Sequence, residues 1–149
     1  MQITLAHVGA RSNPKDYLER QCKEYLARCS TFARCSSEAT RDEEALFARL
    51  DKQQGRTPTV LVLLDSRGRQ MTSEAFAAWL GKQRDNGAQD ILFAIGPASG
   101  WSDTARARAN LLLSLGPLTL AHALARLVMA EQLYRAFTIL TGHPYHTGH

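Results

Sequence analysis

The C-terminal tail of this chain gathers side chains that can exchange protons and stack on planar ligands. His143, Tyr145 and His146 cluster around Pro144, whose ring restricts the backbone of this short stretch. Directly before the tail, residues 121–140 form an apolar run that also contains Arg135. The end of the chain therefore combines a predicted core helix with side chains that can transfer protons or stack on a ligand.

Three further segments are suited to binding a ligand, since each follows or forms the end of a predicted strand. They are residues 64–66, residues 96–100 with a glycine at each end, and the leucine-rich residues 115–120. Ligands of open parallel sheets bind beyond the carboxyl ends of the strands, and glycine lets a backbone approach a ligand closely. The competing interpretations are an ordinary turn for residues 96–100 and a buried core strand for residues 115–120.

Several common kinds of site are disfavoured because their sequence patterns are missing. The chain has neither the dinucleotide fingerprint GxGxxG nor the phosphate loop GxxxxGK(S/T), which disfavours NAD and nucleoside triphosphates as ligands. No local signature of a Ser-His-Asp or Cys-His nucleophile is present. Cys22, Cys29 and Cys35 form no CxxC pair, so we expect no metal site, and we expect the first two to face the core.

The elements that would position these segments alternate between strand and helix. Asn13 is expected to cap the first helix, Gly55 to end the second, and Thr72 or Ser73 to cap the third. This alternation is typical of an α/β fold, a mostly parallel sheet with helices on both faces. We expect strands at residues 3–8, 31–39, 59–64, 90–95 and 118–120, and helices at 14–28, 41–54, 72–84, 102–113 and 121–140.

The last predicted helix is apolar on nearly all sides, which a solvated surface helix cannot be. It holds Arg126, Glu131 and Arg135 well inside its ends, which is too much charge for a membrane span. Protein must therefore cover it, and because one small sheet cannot cover every side, we expect a homodimer through this helix. Glu131 and Arg135 are four residues apart and can simply form an ion pair on the helix.

Length and charge set the remaining limits. At 149 residues the chain fits a single domain, residues 1–149, and its 44% hydrophobic content is that of an ordinary soluble globule.

Residues 91–149 contain two acids, Asp103 and Glu131, against four arginines and four histidines. This excess suits an anionic partner such as RNA, and equally fits arginines that only solvate helices. No N-terminal stretch reads as a signal peptide or membrane anchor, so we expect a cytoplasmic protein.

Taken together, the motifs of the chain resemble one known family. They are HVG at residues 7–9, LD at 64–65, IGPASG at 95–100, LGPLTLAH at 115–122, EQLYRA at 131–136 and HPYH at 143–146. They resemble the RlmH family of SPOUT-class methyltransferases, which acts on pseudouridine in bacterial large-subunit ribosomal RNA. The resemblance spans essentially the whole chain, and its most specific part is ARLVMAEQLYRA followed by the terminal HPYH.

The resemblance implies an α/β fold with a C-terminal trefoil knot, a homodimer, and S-adenosylmethionine as the cofactor. It further implies methylation at N3 of a pseudouridine in helix 69 of 23S ribosomal RNA, on the assembled ribosome. The cofactor segments it implies agree with the three segments selected on physical grounds. Position by position, they are Leu64, Gly96, Leu115, Gly116, Pro117, Leu118, Thr119 and Leu120.

The resemblance also implies roles at the active site for three residues near the C-terminus. Arg135 would pair with phosphate or a uracil carbonyl oxygen, and Tyr145 would stack on a base or donate a hydrogen bond. His146 would take a proton from the attacking nitrogen, although in-line positioning alone can support methyl transfer. We expect His122 to be structural and Asp65 to cap a turn.

Two departures from the family pattern leave other functions open. Pro97, which lacks an N–H, stands where the family has a second glycine, and Ser99 replaces an acidic residue. One alternative is a noncatalytic ribosome-associated RNA-binding module of the same fold. Another is a small α/β enzyme that binds a different nucleotide-like ligand and does not act on ribosomes.

Overall fold

A five-stranded parallel sheet forms the centre of the computed structural model, which describes residues 1–53 and 57–147. The strands lie side by side in the order β2-β1-β4-β3-β5, and every pairing is parallel. The predicted α/β fold is confirmed. In chain order the elements are β1 (Gln2–Val8), α1 (Tyr17–Cys29), β2 (Arg34–Thr40), α2 (Glu43–Lys52), β3 (Val60–Gln70), α3 (Ser73–Asp85), β4 (Asp90–Ile95), α4 (Asp103–Arg108), β5 (Leu111–Ser114) and α5 (His122–Thr141).

The sheet separates two apolar layers. Side chains of a strand alternate between faces, so Phe93 of β4 packs with α1, α3 and α5, while Leu92 and Ala94 pack with α2 and α4. Both Cys22 and Cys29 lie in the first layer, as expected. The helices therefore cover both faces of the sheet, which confirms that prediction.

The C-terminal strand is β5 rather than residues 118–120, and this prediction was wrong. The sequence predicts a helix that includes residues 111–113, but these residues pair with Val62 to Leu64 of β3, and α4 ends at Arg108. Helix propensity is a weak preference, and pairing beside a buried strand overrides it. The segment that follows is therefore a loop, in which Leu118 is 78% exposed.

Other boundaries differ from prediction for local reasons. Helix α1 begins at Tyr17, because the Asp16 side chain caps it by accepting from the N–H of Glu19, whereas Asn13 makes a separate turn with the N–H of Lys15. Strand β3 extends to Gln70, beyond the residue 64 end expected for it. The predicted end of α2 at residues 54 and 55 lies outside the described residues.

Helix α5 packs between α1 and α3 and is covered by protein along most of its length, as predicted. Its buried Arg126 forms an ion pair with Glu19 of α1, which explains how a charge lies within an apolar helix. Gly142 ends the helix in the left-handed conformation with φ of 75°. None of the helices in residues 1–53 and 57–147 has the length and apolarity needed to span a bilayer. The trefoil knot and the homodimer stay predictions.

Candidate functional site

A cavity of about 560 Å³ lies at the carboxyl edge of the sheet, where β4 and β5 end and the pairing of β3 with β4 stops at Leu64. This volume is within the range of sites for small ligands, roughly 300–1,000 Å³. Its lining comes from the three segments that the sequence singled out, of which residues 64–66 lie within β3. Of the predicted cofactor residues, the lining contains Leu64, Gly96, Leu115, Gly116, Leu118, Thr119 and Leu120, whereas Pro117 lies in the same loop outside the lining.

Trp101 joins two of these segments at the floor of the cavity. Its indole N–H donates a hydrogen bond of 3.0 Å to the carbonyl oxygen of Leu64, and its ring lies directly against Gly96. A Cβ at Gly96 would stand only 2.8 Å from two ring atoms of Trp101, so any larger residue there would displace the ring. The glycine is therefore required by this packing.

His122 ties the start of α5 to the same floor. Its Nε2 lies 3.1 Å from the carbonyl oxygen of Gly96, and its ring meets that of His7 edge to face at 5.4 Å between centroids. Burial lowers the pKa of His7, and its Nε2 lies 2.9 Å from the carbonyl oxygen of Ala10. His122 thus has the structural role expected for it, although it also lines the cavity.

The leucine-rich loop presents backbone groups that the protein itself does not use. Among the described residues, no partner is found for the N–H groups of Leu118, Thr119 and Leu120. Gly116 has φ of +124° and open space where a Cβ would stand. Such a loop can offer donors and acceptors to the edge of a flat heterocycle while leucine side chains cover its faces.

Asp65 brings a carboxylate to the lining, which also contains Arg67 and His122. One of its oxygens accepts a hydrogen bond of 2.9 Å from the N–H of Arg67, which is the turn cap expected from the sequence. Its other oxygen lies 3.9 Å from the guanidinium of Arg106. The cavity therefore combines leucines, unused backbone groups and a carboxylate that faces the guanidinium groups of Arg67 and Arg106.

The predicted catalytic residues form a second cluster on the far part of α5. Arg135 makes an ion pair of 2.6 Å with Glu131, and its Nη1 lies 3.0 Å from Nδ1 of His146. The Nε2 of His146 lies 2.7 Å from a carboxylate oxygen of Glu74 at the start of α3. The hydroxyl of Tyr145 donates to Glu131 at 3.2 Å, so the tail is held against its own chain.

The pKa values of this cluster follow from its contacts. Burial, with a further contribution from neighbouring Tyr25 and Glu131, raises the pKa of Tyr145, so its phenol stays protonated and can donate. The hydrogen bond with Glu131 raises the pKa of Arg135, and the hydrogen bond with His146 lowers that of Glu74. The cluster therefore holds a fixed cation beside a phenol donor and an imidazole.

The structure gathers each predicted group but does not bring the two groups together. Ala125 lines the cavity, and Arg135 follows ten residues later on α5, which corresponds to about 15 Å along a helix. The sequence did not identify Trp101 as a wall of the cavity, although residues 64–66, which include Asp65, were among the segments predicted to bind a ligand. A single tryptophan carries no spacing signal, so the sequence alone gave no reason to select it.

The environment of Cys22 disfavours reactivity of this thiol. Burial raises the pKa of Cys22 to about 11, which keeps this thiol protonated and unreactive. Within residues 1–53 and 57–147, no group of three or more His, Cys, Asp or Glu side chains could hold a metal ion.

Comparison with known proteins gives consistent matches. Residues 1–146 match the family described as "Predicted SPOUT methyltransferase". Ribosomal RNA large subunit methyltransferase H of Koribacter versatilis is 52% identical over 126 residues, which cover 85% of this chain and 86% of the relative. The protein of the same name from Pelobacter propionicus is 39% identical over 155 residues, covering 98% of this chain and 99% of its own.

A solved structure shares the fold. The crystal structure of the SpoU methyltransferase AviRb from Streptomyces viridochromogenes, in complex with the cofactor AdoMet, aligns with a TM-score of 0.50 and 11% identity. The alignment covers 91% of this chain and 57% of that one. At this identity the likeness concerns the fold alone.

Proposed function

The chain belongs to the SPOUT methyltransferase family, and from this premise we propose that it methylates large-subunit ribosomal RNA with S-adenosylmethionine as the methyl donor. The observation that carries this proposal is the cavity of about 560 Å³ at the carboxyl edge of the sheet. It is built from the three loops whose motifs carry the resemblance to RlmH. The RNA as substrate follows from the names of the two relatives described above.

The residues of the cavity fit this cofactor. Leu118, Thr119 and Leu120 offer unused backbone N–H groups and apolar cover for an adenine ring, and Asp65 offers a carboxylate to a cationic group. When bound, S-adenosylmethionine supplies a methyl group activated by its sulfonium sulfur. We assign Leu64, Gly96 and residues 115–120 to holding it. Pro97 contributes no N–H, and its carbonyl oxygen accepts from Gly100 in a tight turn.

The finer proposal concerns the atom that receives the methyl group. We propose N3 of a pseudouridine in helix 69 of 23S ribosomal RNA, presented by the assembled ribosome. Support comes from the motifs shared with the RlmH family over the whole chain. The chain itself has few elements beyond those that build the cavity and cover the sheet, which is consistent with a substrate that is positioned by the shape of the ribosome.

We assign three residues to the RNA side of the reaction. Arg135, held by Glu131, provides a fixed cation for a phosphate or a carbonyl oxygen of the base. Tyr145 provides a protonated phenol for a hydrogen bond or for stacking. The Nε2 of His146 donates to Glu74 and its Nδ1 accepts from Arg135, so Nδ1 can take the proton of the attacking nitrogen once Arg135 turns from it to the RNA.

We also propose a homodimer. Leu118 and Leu124 are large apolar side chains exposed near the cavity end of α5, at 78% and 38%. They provide an apolar surface that a second chain can cover. Light scattering at micromolar concentration should give twice the mass of the chain, and a monomer would contradict the proposal.

The function is tested by binding and by RNA analysis. Isothermal titration should show one S-adenosylmethionine bound per chain, and no detectable binding at millimolar cofactor would refute the cofactor assignment. Mass spectrometry of helix 69 RNA from cells with and without the protein should show one methyl group on a pseudouridine only when the protein is present. Ribosome binding without methyl transfer would instead favour the noncatalytic RNA-binding module.

A further inference from the structure

A second cavity, of about 300 Å³, lies between the proposed cofactor cavity and the tail cluster. The two cavities share Leu115 and Gly116 as lining residues, so a ligand in one is adjacent to a ligand in the other. Along α5, Ala125 lines the first cavity, Gln132 lines the second, and Arg135 follows one turn later. The second cavity therefore occupies the space between methyl donor and proposed RNA contacts.

The lining of this cavity has an apolar floor and a polar rim. Met71, Leu115 and Val128 are partly exposed apolar side chains on which a flat ring can lie, and the buried Phe76 and Met129 stand behind them. Around them stand neutral hydrogen-bonding side chains, with no charged residue in the lining: Gln70, Thr72, Ser73, Ser114 and Gln132. An uncharged rim over an apolar floor suits a neutral, planar, polar-edged ligand better than a phosphate.

Gln132 is held in a fixed orientation at this rim. Its carbonyl oxygen accepts from the hydroxyl of Ser73 at 2.7 Å, and its amino group donates to Glu131 at 2.8 Å. A side-chain amide has two N–H donors, so one N–H of Gln132 has no partner within the described part of the chain. That N–H can donate to a carbonyl oxygen of a ligand in the cavity.

We infer that this second cavity receives the acceptor nucleobase, a flipped pyrimidine of the uracil type, and that Gln132 positions it by donating to one of its ring carbonyl oxygens. The inference rests on the proposed function and names the place of its substrate. Enzymes that act on a base take it out of its stack into a cavity and read its edge by hydrogen bonds. A uracil ring carries two carbonyl oxygens and no exocyclic amine, which matches a rim whose oriented group is a donor. Arg135 then faces the adjoining backbone of the RNA.

The test compares Gln132→Leu with the wild-type protein in two measurements. Gln132→Leu keeps the size of the side chain and removes the amide. We expect kcat/KM for methylation of ribosomes to fall at least about tenfold, since a base carbonyl loses its donor. The Kd of S-adenosylmethionine should stay within about twofold, because the first cavity is untouched. Gln89→Leu, the same substitution at an exposed position before β4, should leave both values unchanged.

The other possible results of this comparison would overturn either the inference or the proposed function. An unchanged kcat/KM in folded Gln132→Leu overturns the inference, and so does a large loss of cofactor affinity, because the cavity would then hold part of the cofactor. A wild-type protein that neither binds the cofactor nor methylates ribosomes would overturn the proposed function itself. Failure of the inference shows instead as a difference between Gln132→Leu and an active wild type, so the two failures can be told apart. If Gln132→Leu fails to fold, Ser73→Ala releases the orientation of Gln132 and should lower kcat/KM several-fold at constant cofactor affinity. No change in Ser73→Ala would then overturn the inference.

Discussion

The indole N–H of Trp101 donates to the carbonyl oxygen of Leu64 at 3.0 Å and thereby links the loop that follows β4 to strand β3. Strand β4 ends at Ile95, the partner of Leu64 in the sheet, so the loop that follows could diverge from β3. The hydrogen bond keeps this loop against β3, and the same indole ring fills the space beside Gly96. The shape of the proposed cofactor cavity therefore depends on one side chain.

Replacing Trp101 with phenylalanine should loosen the floor of the cavity. Phenylalanine keeps the aromatic contact with Gly96 but cannot donate to Leu64, so we expect a loss of about 1 kcal/mol in the free energy of unfolding. The Kd of S-adenosylmethionine should rise several-fold, measured by isothermal titration. Trp79→Phe removes an indole on α3 whose ring contacts those of Phe76 and Phe93, away from the cavity, and it should leave the Kd unchanged. Equal effects of the two substitutions would contradict the role of the hydrogen bond.

Gly96→Ala should act on the same floor by steric conflict. The added Cβ would lie 2.8 Å from the ring of Trp101, and overpacking of this kind destabilises by about 1–3 kcal/mol. Because the displaced ring borders the cavity, cofactor affinity should fall as well. Gly81→Ala is the matched control, since its Cβ would lie 2.8 Å from a methyl group at the flexible end of Leu140, away from the cavity. Titration showing unchanged cofactor affinity in Gly96→Ala would refute this argument.

The fold could be predicted because its strongest signals are local. The apolar runs before Asp65 and before Gly96 are too short for helices and too apolar for exposed strands, so parallel buried strands were the consistent interpretation. The error at residues 111–114 arose where three leucines favour a helix locally and a strand in their tertiary setting. The order of strands depends on contacts between distant segments, which periodicity does not contain.

The candidate site was predictable only in part. The rule that ligands bind at carboxyl ends of parallel strands selected the loops containing Leu64, Gly96 and Leu118, and the structure brings them to one cavity. The same rule is silent on Trp101, which acts through packing. It is also silent on Gln132, whose orientation depends on Ser73 from a different helix.

Arg135→Ala should reduce turnover much more than cofactor binding. The guanidinium is fixed by Glu131 and lies about 15 Å along α5 from the cofactor cavity, so its loss should leave the Kd of S-adenosylmethionine unchanged. Removing a charge-assisted contact to RNA should lower kcat/KM by about tenfold to a hundredfold. Arg135→Lys should retain part of the kcat/KM that Arg135→Ala loses, since lysine keeps the positive charge but lacks the planar, paired N–H donors of the guanidinium. If Arg135→Ala methylates ribosomes at the wild-type rate, the assignment of Arg135 to the RNA side is wrong. Arg84→Ala, on the surface of α3, is the control and should leave turnover unchanged.

Breaking the buried ion pair between Arg126 and Glu19 should strongly destabilise the protein. Both side chains are only 8% exposed, so Glu19→Ala leaves a buried guanidinium without its carboxylate, which costs about 3–5 kcal/mol. The double substitution Glu19→Leu with Arg126→Met removes both charges and should be clearly less destabilising than Glu19→Ala. Denaturation by urea gives the free energy of unfolding of each variant. If the double variant has the lowest free energy of unfolding, the cost of an unpaired buried charge does not explain the effect of Glu19→Ala, and the prediction is wrong.

The stability of the fold should fall as the pH decreases below neutrality, and His7 should account for part of this fall. Burial, together with the nearby charges of Arg126 and His122, lowers the pKa of His7 from its ordinary value of 6.5. The unfolded chain therefore takes up a proton at His7 first, as the pH falls through 6.5, and the folded state loses relative stability until the pH passes the lowered pKa. His7→Gln removes this titration while keeping a side-chain donor for the carbonyl oxygen of Ala10. Urea denaturation at pH 8, 7, 6 and 5 should show a shallower fall between pH 7 and 5 for His7→Gln than for the wild type, and parallel curves would contradict the assignment.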